Sequence, residues 1–195
     1  EDIAKRLFKE SNLPSIGKAG IREINKLARD IEAESGVKFI HMEIGNPGLP
    51  AAQAGIDAQV KALQDGVAAC YPPIDGIPVL KNEASRFIKN FLDLDVDAAN
   101  CIPTVGSMQG ASATFMITGH IDNKKNTMLF VDPGFPVHKF QCKVLGIPTE
   151  HFDIYDYRGE KLRDKLEEVF STGKIHSILY SNPNNPTWVC LTDEE

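Results

Sequence analysis

Apolar residues recur at helical spacing in the opening stretch of the chain. Ile3 to Phe8 forms a short amphipathic segment, and Ile21, Ile24, Leu27, Ala28 and Ile31 share one helical face that Gly36 is placed to end. Val37 to Ile44 (VKFIHMEI) is rich in β-formers and runs into Gly45-Asn46-Pro47-Gly48-Leu49-Pro50, a dense cluster of turn residues, so it reads as a short strand entering a loop. Helical spacing resumes over roughly Ala51 to Leu63. After the proline-rich stretch from Tyr71 to Pro78 it returns in Val79 to Phe91, with Leu80, Ala84, Phe87, Ile88 and Phe91 on one face.

From Cys101 the rhythm changes. Short apolar runs at Cys101 to Val105, Thr127 to Val131, Ile147 to Phe152 and Ile175 to Tyr180 read as strands. Helical patterns separate them at about Ser107 to Thr118, Pro136 to Leu145 and Glu160 to Phe170. Strand and helix in alternation predict an α/β fold with a mostly parallel sheet covered by helices, and ligands in such sheets sit at the carboxyl ends of the strands.

Composition narrows the function classes. The 195 residues are 42% hydrophobic and 25% charged, with 15 Gly and 12 Pro, which is the profile of a folded globular protein. The net charge of -6 comes from interleaved acids and bases with no basic run that would track phosphates, so nucleic acid is not an expected partner. No stretch approaches the roughly 18 unbroken apolar residues of a membrane span, and the charged Glu1 to Ser11 does not resemble a secretory signal, which predicts a cytoplasmic protein without a membrane partner. Cys70, Cys101, Cys142 and Cys190 are far apart and form no C-x-x-C pair, so neither a metal site nor a disulfide framework is expected.

Three loops follow predicted strands and face the same sheet edge. Gly106-Ser107-Met108-Gln109-Gly110 opens a helix, so free backbone amides and the positive helix end converge on a point suited to phosphate; the alternative is that Ser107 caps the helix. It is neither a P-loop nor a dinucleotide fingerprint. In Asp132-Pro133-Gly134-Phe135-Pro136 a stiff turn fixes the Phe135 ring, which either stacks on a flat heteroaromatic ligand or plugs the core. In Ser181-Asn182-Pro183-Asn184-Asn185-Pro186-Thr187 repeated Asn-Pro steps restrict the backbone and leave carboxamides free to bond a ligand.

Taken in order, these strings resemble the class I/II aminotransferases of the fold-type I superfamily that depends on pyridoxal 5'-phosphate (PLP). The resemblance runs from about Ser15 to the end of the chain. Ile44-Gly45-Asn46-Pro47 is similar to the family's G-x-P loop, and Tyr71 with Gly76-Ile77-Pro78-Val79-Leu80 to its Y-x-x-x-x-G-x-x-x-L segment. Gly106 to Gln109 is similar to its phosphate loop, Pro133-Gly134-Phe135 to its P-x-aromatic turn, and Asn182 to Thr187 to N-P-x-N-P-T-G. Trp188 stands where the family usually has glycine, which opens the question of the loop's path there.

The resemblance implies the first half of a three-layer α/β/α large domain over 51–195, preceded by an N-terminal helical arm and part of a small domain over 1–50. It implies that Ser107 and the Met108 amide hold the PLP phosphate, that Phe135 stacks on the pyridine ring and that Asn185 bonds its phenolic oxygen. It further implies that Tyr71 reaches the cofactor of a second subunit in a homodimer and that Gly45 meets the substrate carboxylate. The family reaction moves an amino group between an amino acid and a 2-oxo acid. Alternatives within the superfamily are a carbon–sulfur lyase or an aminocyclopropane-carboxylate-synthase-like reaction. Outside it stands a regulator that keeps the cradle without the chemistry.

The family's Schiff-base lysine, its acid at the pyridine nitrogen and its carboxylate-binding arginine have no counterpart in the chain. Ser15-Ile16-Gly17-Lys18-Ala19-Gly20-Ile21-Arg22 is superficially similar to the lysine motif, but its spacing and position are wrong, so Lys18 is expected to be solvated. Thr192-Asp193-Glu194-Glu195 has the pattern of a capping box before a helix. The chain is therefore expected to be a truncated, inactive piece of a larger enzyme.

Overall fold

The computed structural model describes residues 2–195. The chain separates into two compact units, Glu1–Tyr71 and Pro72–Glu195. That first unit holds α1 (Asp2–Glu10), α2 (Ile21–Ser35) and α3 (Gln53–Gln64). The first turn of α2 is held by the Glu23 carboxylate, which accepts from the Gly20 amide at 2.7 Å. The helix ends where Gly36 turns left-handed at φ 73° and its amide bonds Glu32 O at 2.9 Å. Val37 to Ile44 forms no strand, contrary to expectation: among the described residues it joins no ladder, and the chain bends at Glu43 and Ile44. Side chains of α2 hold it in place of a ladder. The Phe39 amide donates to Glu32 at 2.8 Å, and His41 bridges Glu32 and Glu43.

The second unit begins with α4 (Pro78–Leu92) and α5 (Gly106–Ile121). Pro78 sits in the first turn of α4, where its missing amide hydrogen costs nothing. Cys101 to Val105, expected as a strand, is unpaired. Pro103 offers no ladder donor, and it is pressed by Gly76, whose φ of 98° and lack of a Cβ allow the approach. A Cβ at Gly76 would stand 2.6 Å from Pro103 Cδ.

The expected alternation is borne out beyond residue 126. β1 (Thr127–Asp132), α6 (Val137–Leu145), β2 (Thr149–Asp153), α7 (Glu160–Ser171) and β3 (Ile175–Leu179) build a three-stranded, all-parallel sheet in the order β2-β1-β3. Central β1 is apolar on both faces, as a doubly covered strand must be. Met128 and Phe130 pack with Phe115, Cys142 and Ile147 under α5 and α6. Leu129 packs with Phe152, Ile154, Leu162 and Val169 under α7. Helices thus cover both faces, which is a partial form of the three-layer α/β/α arrangement. Gly119 lets α5 approach closely: a Cβ there would lie 2.7 Å from Ile147 Cδ1. Among the described residues no helix is long and apolar enough to cross a membrane.

Candidate cofactor site

Parallel pairing points the carboxyl ends of β1 and β3 the same way, and the loops leaving them meet the N-terminal turn of α5. Between these three segments lies a cavity of about 400 Å³ lined by Ser107 and Met108 from α5, Phe135 from the loop after β1 and Asn185 from the loop after β3. Four of the six residues singled out in the sequence therefore share one cavity. Tyr71 and Gly45 belong to the first unit, where both are exposed, and are not part of this cavity. Lys18 is exposed at the end of a short 3-10 turn.

The chemistry of the lining fits a phosphate joined to a flat ring. The N-cap of α5 is Val105, which has no side-chain acceptor, so Ser107 does not cap the helix, and among the described residues the first-turn amides of Ser107 and Met108 have no acceptor. Such amides, at the positive end of a 16-residue helix, favour an anion. Among the described residues the Ser107 hydroxyl has no hydrogen-bond partner, and it lines the same cavity. Phe135 is 39% exposed, so it does not plug the core. Its ring is held edge-on by His138 at 5.7 Å between centroids. Lys139 and Asp132, also in the lining, neutralise each other in an ion pair.

The asparagines after β3 divide their work. Asn182 Oδ1 accepts from the Leu191 amide at 3.1 Å. Asn184 donates to Pro133 O at 2.7 Å, and its Oδ1 accepts from the Thr187 amide and hydroxyl. Both are committed to the loop itself. Among the described residues the Asn185 carboxamide has no hydrogen-bond partner, and Asn185 lines the cavity. The Asp132-Pro133, Asn182-Pro183 and Asn185-Pro186 bonds are all cis. Trp188 takes φ 65°, so the loop follows the left-handed path a glycine would supply, with the indole in its place.

His138, Lys139, Asp132 and Tyr180 also line the cavity and were not singled out in the sequence. The one local signal was the three-residue spacing of His138 from Phe135 across the start of α6. A second cavity, of about 260 Å³, lies between α7 and the sheet. It is lined chiefly by aliphatic side chains, and its charged groups satisfy each other: Arg158 Nε donates to Glu195 at 2.6 Å, which holds the Glu195 carboxyl well below the usual carboxylate range. The expected capping box is formed, with Thr192 and Glu195 exchanging bonds of 3.0 and 3.3 Å.

Known proteins are similar to this chain over most of its length. The family described as Aminotransferase class I and II matches residues 37–195. A (5-formylfuran-3-yl)methyl phosphate transaminase from Methanocaldococcus jannaschii is 29% identical over 85% of the chain and 41% of its own length. An LL-diaminopimelate aminotransferase from Maridesulfovibrio salexigens is 27% identical over 88% of the chain and 44% of its own length. A crystal structure from Methanococcus jannaschii, described as similar in its active site to kynurenine aminotransferases, superposes with a TM-score of 0.70 at 27% identity, covering 89% of this chain and 44% of that one. The chain thus spans less than half the length of these relatives.

Proposed function

Since this chain belongs to the class I and II aminotransferases, we propose that it is the N-terminal part of a PLP-dependent enzyme that moves an amino group between an amino acid and a 2-oxo acid. The observation that carries the reading is the convergence of Ser107, Met108, Phe135 and Asn185, from three separate loops, on one cavity in which the Ser107 hydroxyl and the Asn185 carboxamide are free. Those side chains are ready for a ligand, whereas their neighbours Asn182 and Asn184 are already engaged.

In this reading the Ser107 hydroxyl and the Ser107 and Met108 amides bind the phosphate, and the Phe135 ring orients the pyridine. Asn185 donates to the phenolic oxygen and so favours its deprotonated form. Bound PLP supplies an electron sink for the amino acid's α-carbon. Tyr71 serves the cofactor of a second subunit in a homodimer, and Gly45 meets the substrate carboxylate. Residues 1–50 belong to the arm and small domain and residues 51–195 to the cofactor-binding large domain of a cytoplasmic enzyme. The family's lysine motif has no match at the right spacing in these 195 residues, so in this reading the chain by itself performs no amino transfer.

The test is an amino-transfer assay on the complete product of the gene, with a panel of amino acids against 2-oxoglutarate and pyruvate. Transfer that requires added PLP supports the reading. Elimination products without transfer would replace it with a lyase, and no turnover of any amino acid would replace it with a binding role.

A further inference from the structure

Gln141 lies one layer behind the cofactor cavity, on α6, and does not line it. Its Nε2 donates to Met108 O at 2.9 Å and to Ser112 Oγ at 2.6 Å, so it grips the first two turns of α5 from positions 33 and 29 residues away in sequence. Its Oε1 lies 3.0 Å from His138 Nδ1. A carbonyl oxygen only accepts, which fixes the amide's orientation: the nitrogen faces Met108 and the oxygen faces His138. His138 Nδ1 must then carry the hydrogen, leaving Nε2 bare in the neutral ring. The same imidazole packs edge-on to Phe135 and, at 5.9 Å, to Phe115.

We propose that Gln141 is a positioning residue that sets the spacing between the phosphate-binding turn and the aromatic plate by tying Met108 to His138 and, through that ring, to Phe135. The proposal rests on the cofactor reading above. A ligand whose phosphate and ring are covalently joined needs both subsites at one fixed separation, whereas a lone phosphate needs the turn alone. Removing the tie therefore penalises the joined ligand selectively, because each subsite survives and their register is lost.

Gln141→Met keeps length and volume and removes both donors and the acceptor. In the 195-residue chain, titration with PLP and with inorganic phosphate, together with 15N spectra of the His138 imidazole, reads the effect. The expected result is a loss of about tenfold in PLP affinity, of the order of one network hydrogen bond. Phosphate affinity should stay within about twofold, and the His138 signals should move from a pure Nδ1–H form to a tautomer mixture. Equal PLP affinity with an unchanged tautomer would overturn the proposal, and so would parallel loss of both ligands, which would mean that Gln141 merely keeps the turn folded. If Gln141→Met does not fold, Ser112→Ala removes one acceptor alone and should weaken PLP and not phosphate; a Ser112→Ala chain with wild-type PLP affinity then overturns the proposal. Failure of the unsubstituted chain to bind either ligand would overturn the cofactor reading itself, a result distinct from binding that Gln141→Met leaves intact.

Discussion

Asn184 donates through Nδ2 to the Pro133 carbonyl at 2.7 Å, joining the loop after β3 to the loop after β1 across 51 residues of sequence. The same side chain accepts from the Thr187 amide and hydroxyl. One carboxamide therefore sets both the shape of the Asn-Pro loop and its register against the turn that carries Phe135. Asn184→Ala leaves the partly buried Pro133 carbonyl and Thr187 amide without a partner and the Thr187 hydroxyl without its acceptor, which should cost about 1 to 3 kcal/mol of unfolding free energy in urea and weaken PLP binding as Asn185 loses its support. An unchanged urea midpoint would remove Asn184 from this role.

Ser107→Ala should separate binding from folding. Because Val105 and not Ser107 is the N-cap, the substitution removes no capping bond, and the thermal midpoint should stay within about 1 °C of wild type. PLP affinity should fall by about 1 to 3 kcal/mol, the range for a hydrogen bond to a charged group. The opposite pattern, lost stability with unchanged affinity, would return Ser107 to a capping role.

Trp188 holds a left-handed backbone at φ 65° while 80% of its surface is exposed, so it accepts backbone strain with little burial in return. The left-handed conformation costs a non-glycine residue about 1 to 2 kcal/mol. Glycine's extra freedom in the unfolded chain takes back about 0.5 to 1 kcal/mol. Trp188→Gly should therefore raise stability by up to about 1 kcal/mol, and Trp188→Ala, which keeps the strain, should not. Chemical denaturation followed by circular dichroism, independent of the lost indole, compares the two.

Where the sequence was legible, the reason was local. The α5, α6 and α7 patterns are long enough for periodicity to fix the helices within a few residues, and Gly36 ends α2 by backbone conformation alone. The unpaired Cys101 to Val105 and Val37 to Ile44 were misread because strand-forming residues need a partner, which local pattern does not report. Pro103, without a ladder donor, was the visible warning. In the candidate site, the shared cavity of Ser107, Phe135 and Asn185 could be anticipated because each sits in a short string with its own turn chemistry after a strand or before a helix. Gln141 was not, since its role exists only once α6 has packed against α5. At Trp188 the path was open in the sequence, and it is settled by backbone bonds from Trp188 N to Asn184 O at 2.7 Å and Asn184 N to Val189 O at 2.9 Å, which do not depend on the side chain.

The first unit should respond to pH through His41, which lies between Glu32 and Glu43. Hydrogen bonds that His41 donates to the Glu43 and Glu32 carboxylates raise its value above 6.5, so its contribution is complete below 6.5 and is lost as pH rises through the raised value. Glu43, held down to about 2 by His41 and Asn25, contributes fully above its ordinary 4.5 and loses that contribution as pH falls toward about 2. Protection of the Phe39 amide from hydrogen exchange, which depends on Glu32, should be greatest between about pH 4.5 and 6.5 after correction for intrinsic rates. His41→Gln should flatten the decline on the alkaline side; a decline of the same size in His41→Gln would assign it to another group.

Whether three loops at the carboxyl edge of the sheet form a PLP cradle can be read from amide chemical-shift mapping of the 15N-labelled chain during PLP titration. Saturable shifts are expected at Ser107 and Met108 and in the loops carrying Phe135 and Asn185, with the Asn185 side-chain amide among those that move, and no comparable shifts at Leu162 or Phe170 along the α7 groove. Shifts centred on that groove, or no saturable shift at Ser107 and Asn185, would contradict the cradle.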